Sequence, residues 1–303
     1  MQYNRYHISK RNGGYREINA PDAELKQHSL RLLGRLENEL KRLNWWRGSG
    51  SAIYSYSPNK SCKMLVDDIC SFTSNDAYDI YYLDVVNFFG VITKEHVNKS
   101  ILMLNRQGCL LDQAFWDQVW DAIKIGTIGI AQGNPLSPTI SNLVGWACLD
   151  VPFLNKLVPF CDFPIGYYRY SDNIFIVCKR EGSYSRQEFL SRLADFLVHS
   201  LTHDFLFTSK LRSHTQLNIV LGIRLGQRAQ LPNKNWLRSV FYRYKMNRME
   251  MLDHKDMVKK YGRLGDEQLK QVVYGLASYA RGIDPKMSKY IDECLVEEVA
   301  NGV

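Results

Sequence analysis

The sequence predicts an α+β fold, because segments with helical periodicity alternate with short segments rich in aromatic and β-branched residues. These segments follow in the order helix, strand, helix, hairpin, helix, strand. The 303 residues are 45% hydrophobic and 23% charged, which is typical of a globular protein with one large core or a few small subdomains. The net charge of +8 favours an anionic partner, but a basic surface without such a partner explains it equally well.

The first third of the chain contains a long predicted helix and a buried strand. Residues 22–44 place leucines at helical spacing between charged residues. A polar loop over residues 47–61 and a mixed helical pattern over residues 62–73 follow. Residues 77–92 are dense in aromatic and β-branched side chains, which predicts a buried strand with a short continuation.

The rest of the chain adds helices around further strands. Residues 94–125 have a helical pattern, and a glycine-containing loop over residues 126–138 leads into an apolar helix. The strand-like sequences FPIGYYRY and NIFIVCKR flank Ser171 and Asp172, which predicts a hairpin with a tight turn. The remaining predicted elements are an amphipathic helix over 184–203, short strands near 205–211 and 217–225, and a basic helical segment from about residue 237.

Features of secreted, zinc-binding and membrane proteins are not expected in this chain. The seven cysteines are irregularly spaced and include no CxxC pair, which argues against a disulfide framework and against a structural zinc site. The N-terminus is polar, unlike a signal peptide, and no apolar run approaches the ~20 residues that span a bilayer. We therefore expect a cytoplasmic protein with no membrane partner.

Two acidic residues occupy unusual settings for a charge. Asp84 lies in the apolar strand LDVVNFF, where an isolated carboxylate is costly unless a cation faces it. Asp172 lies at the tip of the predicted hairpin. A carboxylate at a strand end and one at a hairpin tip can share a divalent cation, and oxygen ligands with room for phosphates suit Mg²⁺. A salt-bridged or capping role for Asp84 and a turn-forming role for Asp172 are the alternatives.

The segment GIAQGNPLSPTISNL, residues 129–143, predicts a rigid loop that enters a helix. A glycine permits close backbone approach, a proline fixes the following turn, and Ser137 or Thr139 is expected to cap the helix. Such a backbone can lie against a base or a ribose. An ordinary loop that enters a core helix is the alternative.

Taken in order, these segments resemble bacterial reverse transcriptases of the retron and group II intron type. QGNPLSPTISNL resembles the nucleotide-binding motif of that family, LDVVNFFGVI its first catalytic motif, and YRYSDNIFIV its second, Tyr-x-Asp-Asp. ISKRNGGYREINAP is similar to the fingers strand pair, LGIRL to the primer-grip hairpin, and LKQVVYGLASYARG to a thumb helix. The resemblance implies a right-hand polymerase with an antiparallel palm sheet. We predict fingers and palm, the reverse-transcriptase domain, over residues 1–236 and a helical thumb over residues 237–303.

The resemblance also implies roles for individual residues. Asp84, Asp172 and the Val85 carbonyl would bind two Mg²⁺ ions, with Mn²⁺ as an alternative metal. Phe89 would be a steric gate that excludes a ribose 2′-hydroxyl, with core packing as the alternative. The other implied residues are the catalytic-site Asn173; Lys210, as the donor of a proton to pyrophosphate; the nucleotide-binding Arg16, Lys10, Arg11, Gln132, Gly133 and Pro135; and the primer-grip Leu221, Gly222 and Ile223. For the basic residues of this set, a solvated surface position is the alternative.

Asn173 departs from the family pattern, which has a second aspartate at this position. An amide oxygen can still bind Mg²⁺, but an amide has no negative charge and cannot act as a base. The site therefore has two expected carboxylates where the family has three. We expect activity to survive with an altered metal preference, because the first aspartate of the motif contributes most.

The predicted function is RNA-directed DNA synthesis, in which a primer is extended with dNTPs by two-metal phosphoryl transfer. The implied partners are an RNA template, such as a dedicated non-coding RNA, a DNA primer or product, and dNTPs, with a homo-oligomer or a second protein subunit left open. By analogy, the family implies a role in bacterial antiviral defence. The alternatives are template-independent or protein-templated DNA synthesis, and a nucleic-acid-binding scaffold with a non-catalytic palm.

Overall fold

The computed structural model describes residues 2–9, 15–74, 76–201, 205–213, 219–226, 228–232, 234–245 and 266–295. Contacts within the chain divide it into two compact units. The first unit comprises Met1–Leu65 and Asn75–Leu217, and the second comprises Val66–Ser74 and Asn218–Val303. The domain boundary between residues 236 and 237 stays a prediction.

An N-terminal hairpin precedes the first long helix. Strands β1 (Tyr3–Ser9) and β2 (Tyr15–Pro21) pair in antiparallel orientation. Helix α1 spans Ala23–Arg42, and the Asp22 carboxylate caps it by accepting the Leu25 N–H at 2.7 Å. Leu25, Leu32, Leu36 and Leu40 pack into the hydrophobic core, which confirms the helix predicted for this segment, whereas Leu30 is exposed.

A four-stranded antiparallel sheet forms the centre of the first unit. Its strands are β3 (Tyr78–Val85), β4 (Ile165–Tyr170), β5 (Asn173–Lys179) and β6 (Phe207–Ser213), in the order β4-β5-β3-β6. The hairpin of β4 and β5 turns at Ser171 and Asp172, as predicted. Antiparallel sheets combined with many helices confirm the predicted α+β class.

Further helices lie before and between these strands. They are α2 (Cys62–Thr73), α3 (Phe88–Val91), α4 (Lys94–Arg106), α5 (Gln113–Ile123), α6 (Ser137–Gly145), α7 (Val151–Lys156) and α8 (Arg186–Phe196). A π-helical turn, Trp146–Asp150, connects α6 to α7, and a second one, Leu197–Leu201, extends α8. A short 3-10 helix, Val158–Phe160, follows α7.

The helical run Ser137–Phe160 is long and apolar enough, by length and composition alone, to cross a membrane. No such run was expected from the sequence. Its most apolar stretch has a mean hydropathy of 1.2, but 56% of that stretch is buried inside the protein. Leu143, Val144 and Trp146 belong to the main hydrophobic core. A helix that is buried on most sides needs apolar residues all round, and this accounts for the composition.

The central sheet has two different faces, because side chains alternate along each strand. Tyr81 of β3 lies on the face that helices cover, where it packs against Phe189 of α8 with ring centroids 4.7 Å apart. Tyr82, Asp84 and Asn173, the register partner of Asp84, share the opposite face. We call this second surface the Asp84 face.

A buried ion pair links β4 to the helices that cover the sheet. Arg169 is 0% exposed, and its guanidinium donates to both carboxylate oxygens of Asp150 at 2.7 and 2.9 Å. Tyr167 donates to Asp150 at 2.6 Å, and Asn142 accepts two further hydrogen bonds from Arg169. Burial alone would lower the pKa of Arg169, but the Asp150 carboxylate outweighs burial and the pKa is raised. Arg169 therefore stays charged within the core.

The second unit contains a short hairpin and further helices. Strand β7 (Ile219–Val220) pairs with β8 (Ile223–Arg224), because left-handed conformations at Leu221 and Gly222 turn the chain back. The residue pattern predicted one strand here and is wrong, whereas the resemblance implied the hairpin. The helices are α9 (Lys234–Lys245), α10 (Asp266–Ile283) and α11 (Met287–Leu295).

Helix α6 begins differently from the prediction. Leu136 occupies the N-cap position without a side-chain hydrogen bond, so the expected cap by Ser137 or Thr139 is wrong. The Leu136 N–H donates instead to Asn134 Oδ1 at 2.9 Å. The Asn134 side chain closes the turn before the helix, which removes the need for a capping hydroxyl at the helix start.

We predict that Asp150→Ala lowers the free energy of unfolding by about 3–5 kcal/mol, because it leaves the Arg169 charge buried without its carboxylate. Chemical denaturation followed by circular dichroism measures the change. Glu188→Ala is the matched control, since it breaks an exposed ion pair with Arg192 (2.6 Å) and should alter stability much less. Equal losses in the two variants would contradict the role of the buried pair.

Candidate active site

The register of the sheet brings Asp84 beside the β4–β5 turn. Asp84 is half-buried and lies opposite Asn173 of β5 and Thr208 of β6. The Val85 N–H donates to the Asp172 carbonyl at 3.0 Å, so Asp84 and Asn173 form a non-hydrogen-bonded pair. In such a pair the Cα atoms are about 4.5 Å apart and the side chains lie close together.

The turn that carries Asp172 is held from inside the protein. Ser171 has a φ of 59°, a left-handed conformation that is uncommon for a residue with a side chain. Its N–H donates to the Ser55 hydroxyl at 2.7 Å, and its carbonyl accepts from Arg169 at 3.0 Å. Both backbone groups of Ser171 therefore have buried partners, which fixes the direction in which the chain enters Asp172.

A chain of hydrogen bonds joins three side chains at the Asp84 face. The Tyr82 hydroxyl donates to Asn173 Oδ1 at 2.5 Å, and Asn173 Nδ2 donates to Asp172 Oδ1 at 2.8 Å. Partial burial raises the pKa of Tyr82 to about 12, and the negative charges of Asp84 and Asp172 contribute to the rise. Tyr82 is therefore a protonated donor near neutral pH, and both carboxylates lie close enough to affect it.

The two carboxylates offer the oxygen donors that a hard divalent cation binds. Among the residues that the structure describes, no three His, Cys, Asp or Glu side chains gather as a metal site. Metal binding by Asp84 and Asp172 together stays a prediction. Two carboxylates fit Mg²⁺, which keeps several waters and binds substrate phosphates. The Val85 carbonyl as a third ligand, and the number of ions, stay predictions.

Phe89 lies next to the predicted nucleotide-binding loop. It is half-buried in the short helix α3, and its carbonyl accepts the Ile130 N–H at 2.8 Å. Gly129 has a φ of 98°, and a Cβ at this position would come within 3.1 Å of the Gly90 carbonyl oxygen. The loop therefore packs directly on the helix that carries Phe89.

The same loop packs against strand β2. The Gln132 carbonyl accepts the Asn19 N–H at 2.6 Å. Gly133 has a φ of 122°, and a Cβ there would lie 2.9 Å from the Asn19 carbonyl oxygen, so this position requires glycine. Arg16 is exposed on the same strand. The structure thus brings Gln132 and Gly133 together with the strand that carries Arg16.

Other residues of the predicted nucleotide site are less closely placed. Pro135 is half-buried in the turn before α6. Lys210 lies opposite Tyr82 in the register of β6, but its side chain is outside the described part of the structure. Lys10 and Arg11 fall outside the described residues. The roles of these residues stay predictions.

The predicted primer grip belongs to the second unit. Leu221 and Gly222 form the turn between β7 and β8, and Ile223 begins β8. The Tyr279 hydroxyl donates to the Gly222 carbonyl at 2.6 Å, which holds the turn to helix α10. Contact of this hairpin with a primer stays a prediction.

Several residues that support the site were not found from the sequence. Arg169 and Asp150 are charged residues in apolar segments, the same signal that singled out Asp84. Tyr82 alternates with Asp84 along one strand, so periodicity places both on one face. Ser55 lies in a polar loop with no local signal, and only the tertiary structure shows that it holds the turn.

The chain matches no protein-family model, and no curated protein sequence matches it at a significant level. Solved structures do match its fold. Apo telomerase from Candida tropicalis superposes with a TM-score of 0.60 and 12% identity over 97% of this chain and 59% of that chain. A form of this telomerase truncated from its C-terminal domain gives a TM-score of 0.55 and 13% identity over 76% of this chain and 55% of that chain.

A viral enzyme has a similar fold. The BmCPV RNA-dependent RNA polymerase, in its elongation state, gives a TM-score of 0.52 and 9% identity over 81% of this chain and 24% of that chain. The chain spans 55% to 64% of the length of the telomerase structures it matches. Identities this low relate the folds alone, and the retron and group II intron resemblance rests on the sequence motifs. These similarities show that the chain has a polymerase-like α+β fold.

Proposed function

We propose that this chain is a nucleic-acid polymerase that extends a primer with dNTPs on an RNA template. The observation that carries the proposal is the register of Asp84 opposite Asn173, which sets Asp84 beside the turn that carries Asp172. A pair of carboxylates at this position in a polymerase-like fold supports metal-dependent phosphoryl transfer. The order of the sequence motifs supports reverse transcription within the wider class of polymerases.

In the proposed reaction, each residue of the cluster has one task. Asp84 and Asp172 would hold the metal ions, and the Val85 carbonyl would supply a further oxygen. Magnesium, when bound, neutralises charge on the triphosphate and favours ionisation of the primer 3′-hydroxyl. A bond forms between the 3′-oxygen and the α-phosphorus as the bond to pyrophosphate breaks.

The residues around the carboxylates orient the nucleotide. The backbone of Gln132 and Gly133 lies against the base or sugar, and Arg16 contacts the triphosphate, which a guanidinium can do through two parallel hydrogen bonds. The ring of Phe89 lies under the sugar. A protein with these features and with motifs of the retron and group II intron type would work with a non-coding RNA template, and antiviral defence is the corresponding biological role by analogy.

Incorporation of labelled dNTPs by the purified protein tests this proposal. The assay uses Mg²⁺ or Mn²⁺, with and without an RNA template annealed to a DNA primer. The proposal predicts polymer that requires the RNA. Polymer that forms equally well without RNA would favour template-independent synthesis, and no polymer with either metal would favour a non-catalytic scaffold.

We predict that Asp172→Asn lowers the rate of dNTP incorporation by more than about 100-fold, because it removes a charged metal ligand while keeping the shape of the side chain. Asp195→Asn is the matched control. Asp195 is exposed on α8, and Phe189 of this helix packs on the helix-covered face of the sheet, opposite the face that carries Asp84. Single-nucleotide incorporation on a fixed primer and template measures both rates. Retention of near wild-type activity by Asp172→Asn would contradict the assigned role.

We also predict that Phe89→Val increases the use of ribonucleotides relative to deoxynucleotides by about tenfold or more, because a smaller side chain leaves room for a 2′-hydroxyl. The ratio of kcat/KM for UTP and dTTP measures this change. Phe88→Leu serves as the control, since the Phe88 side chain is buried against Phe205 and should not affect the ratio. An unchanged ratio in Phe89→Val would mean that Phe89 only packs in the core.

A further inference from the structure

The amide of Asn173 has a fixed orientation in the structure. Its Nδ2 faces two acceptors, Asp172 Oδ1 at 2.8 Å and the Tyr170 carbonyl oxygen at 3.3 Å. An ionised carboxylate and a carbonyl can only accept hydrogen bonds, so the group that faces them must be the NH₂ of the amide. The amide oxygen then accepts from the Tyr82 hydroxyl at 2.5 Å. All three hydrogen bonds agree on one orientation.

We infer that Asn173 is a positioning residue: Tyr82 holds the Asn173 amide, and the amide holds the Asp172 carboxylate in the orientation that binds metal. The inference rests on the proposed function, because it assigns a task within the same site. It differs from the alternative that the sequence leaves open, in which the Asn173 amide oxygen itself binds the metal. The residue acts through Asp172 and does not touch the reacting atoms.

The Tyr82 hydroxyl is well suited to hold the amide, because the sheet fixes its ring. Tyr82 lies opposite Phe175 in the register of β3 and β5. The two rings stack with centroids 5.3 Å apart and an interplanar angle of 29°. Phe175 is buried (3% exposed), so the stack cannot shift without disturbing the core. The sheet therefore fixes the position of the Asp172 carboxylate through Tyr82 and Asn173.

An amide at position 173 performs a task that a carboxylate cannot. An ionised aspartate there would have no N–H to donate to Asp172, and it would place a second negative charge beside the first. With Asn173, the Asp172 carboxylate has an ordered hydrogen-bond donor even when no cation is bound. The departure from the family motif thus exchanges a charge for a donor that orients the remaining carboxylate.

The ligand and positioning roles of Asn173 predict opposite effects of removing the Tyr82 hydroxyl. If the amide oxygen were a metal ligand, Tyr82→Phe would free that oxygen and leave metal affinity equal or higher. If Asn173 positions Asp172, the same change releases the amide and weakens metal binding. Tyr82→Phe keeps the ring and its stack on Phe175, so the comparison isolates one hydroxyl.

The experiment is a titration of the purified protein with Mn²⁺, followed by electron paramagnetic resonance, which needs no nucleotide or catalysis. We expect Tyr82→Phe and Asn173→Ala each to raise the Kd for Mn²⁺ by about tenfold relative to the wild type, since residues that orient metal ligands typically have effects of this size. The double variant should bind Mn²⁺ no more weakly than Asn173→Ala does, because Tyr82 acts through Asn173. Asp172→Ala identifies the binding that belongs to this site.

Tyr81→Phe is the matched control for the loss of a hydroxyl. Tyr81 is the preceding residue of β3, and its hydroxyl pairs with that of Tyr184 at 2.7 Å on the helix-covered face. We expect this variant to bind Mn²⁺ as the wild type does. Unchanged or tighter binding by Tyr82→Phe, additive effects in the double variant, or no Asp172-dependent binding in the wild type would each overturn the inference.

Nucleotide incorporation by the same variants separates this inference from the proposed function. A positioning role predicts that kcat falls in Tyr82→Phe while the KM for dNTP stays unchanged, because the nucleotide-binding loop is untouched. A wild-type protein that shows the expected Mn²⁺ pattern but incorporates no nucleotide would overturn the proposed function and support the positioning role. A wild type that incorporates nucleotide, with no effect of Tyr82→Phe on the Kd for Mn²⁺ or on kcat, would overturn the positioning role and support the proposed function.

Discussion

The buried ion pair between Arg169 and Asp150 is the interaction on which the candidate site depends. It links β4 to the buried helical run Ser137–Phe160. The same guanidinium donates to the Ser171 carbonyl in the adjoining turn. A charge this deep in the protein is tolerated only with its partner in place. The position of the turn is thereby coupled to the stability of the whole first unit, and a site that must hold two carboxylates together requires such rigidity.

The register of the central sheet completes the arrangement. Because side chains alternate along a strand, a shift of one residue would move Asp84 from its own face of the sheet to the helix-covered face. Burial of Leu83 and Val85 in the core prevents that shift. Asp84 therefore stays opposite Asn173, beside the turn that carries Asp172.

Sequence alone predicts those parts of the structure that depend on local patterns. The first helix and the β4–β5 hairpin follow from periodicity, and Asp84 stands out as a charge in an apolar strand. The side chain that holds the turn was not predicted. Ser55 accepts the Ser171 N–H, but the two residues are 116 positions apart in the sequence, so no local pattern links them. The expected cap of α6 failed for a related reason: Asn134, held by distant partners, closes that turn instead.

A crystal structure of the protein with Mn²⁺ and a non-hydrolysable dNTP analogue tests the central claim most directly. The account predicts anomalous density between the carboxylates of Asp84 and Asp172, with the triphosphate bound to the same ion. It further predicts that Asn173 Nδ2 still faces Asp172. Metal bound elsewhere in the protein, or a nucleotide bound away from both carboxylates, would contradict the account.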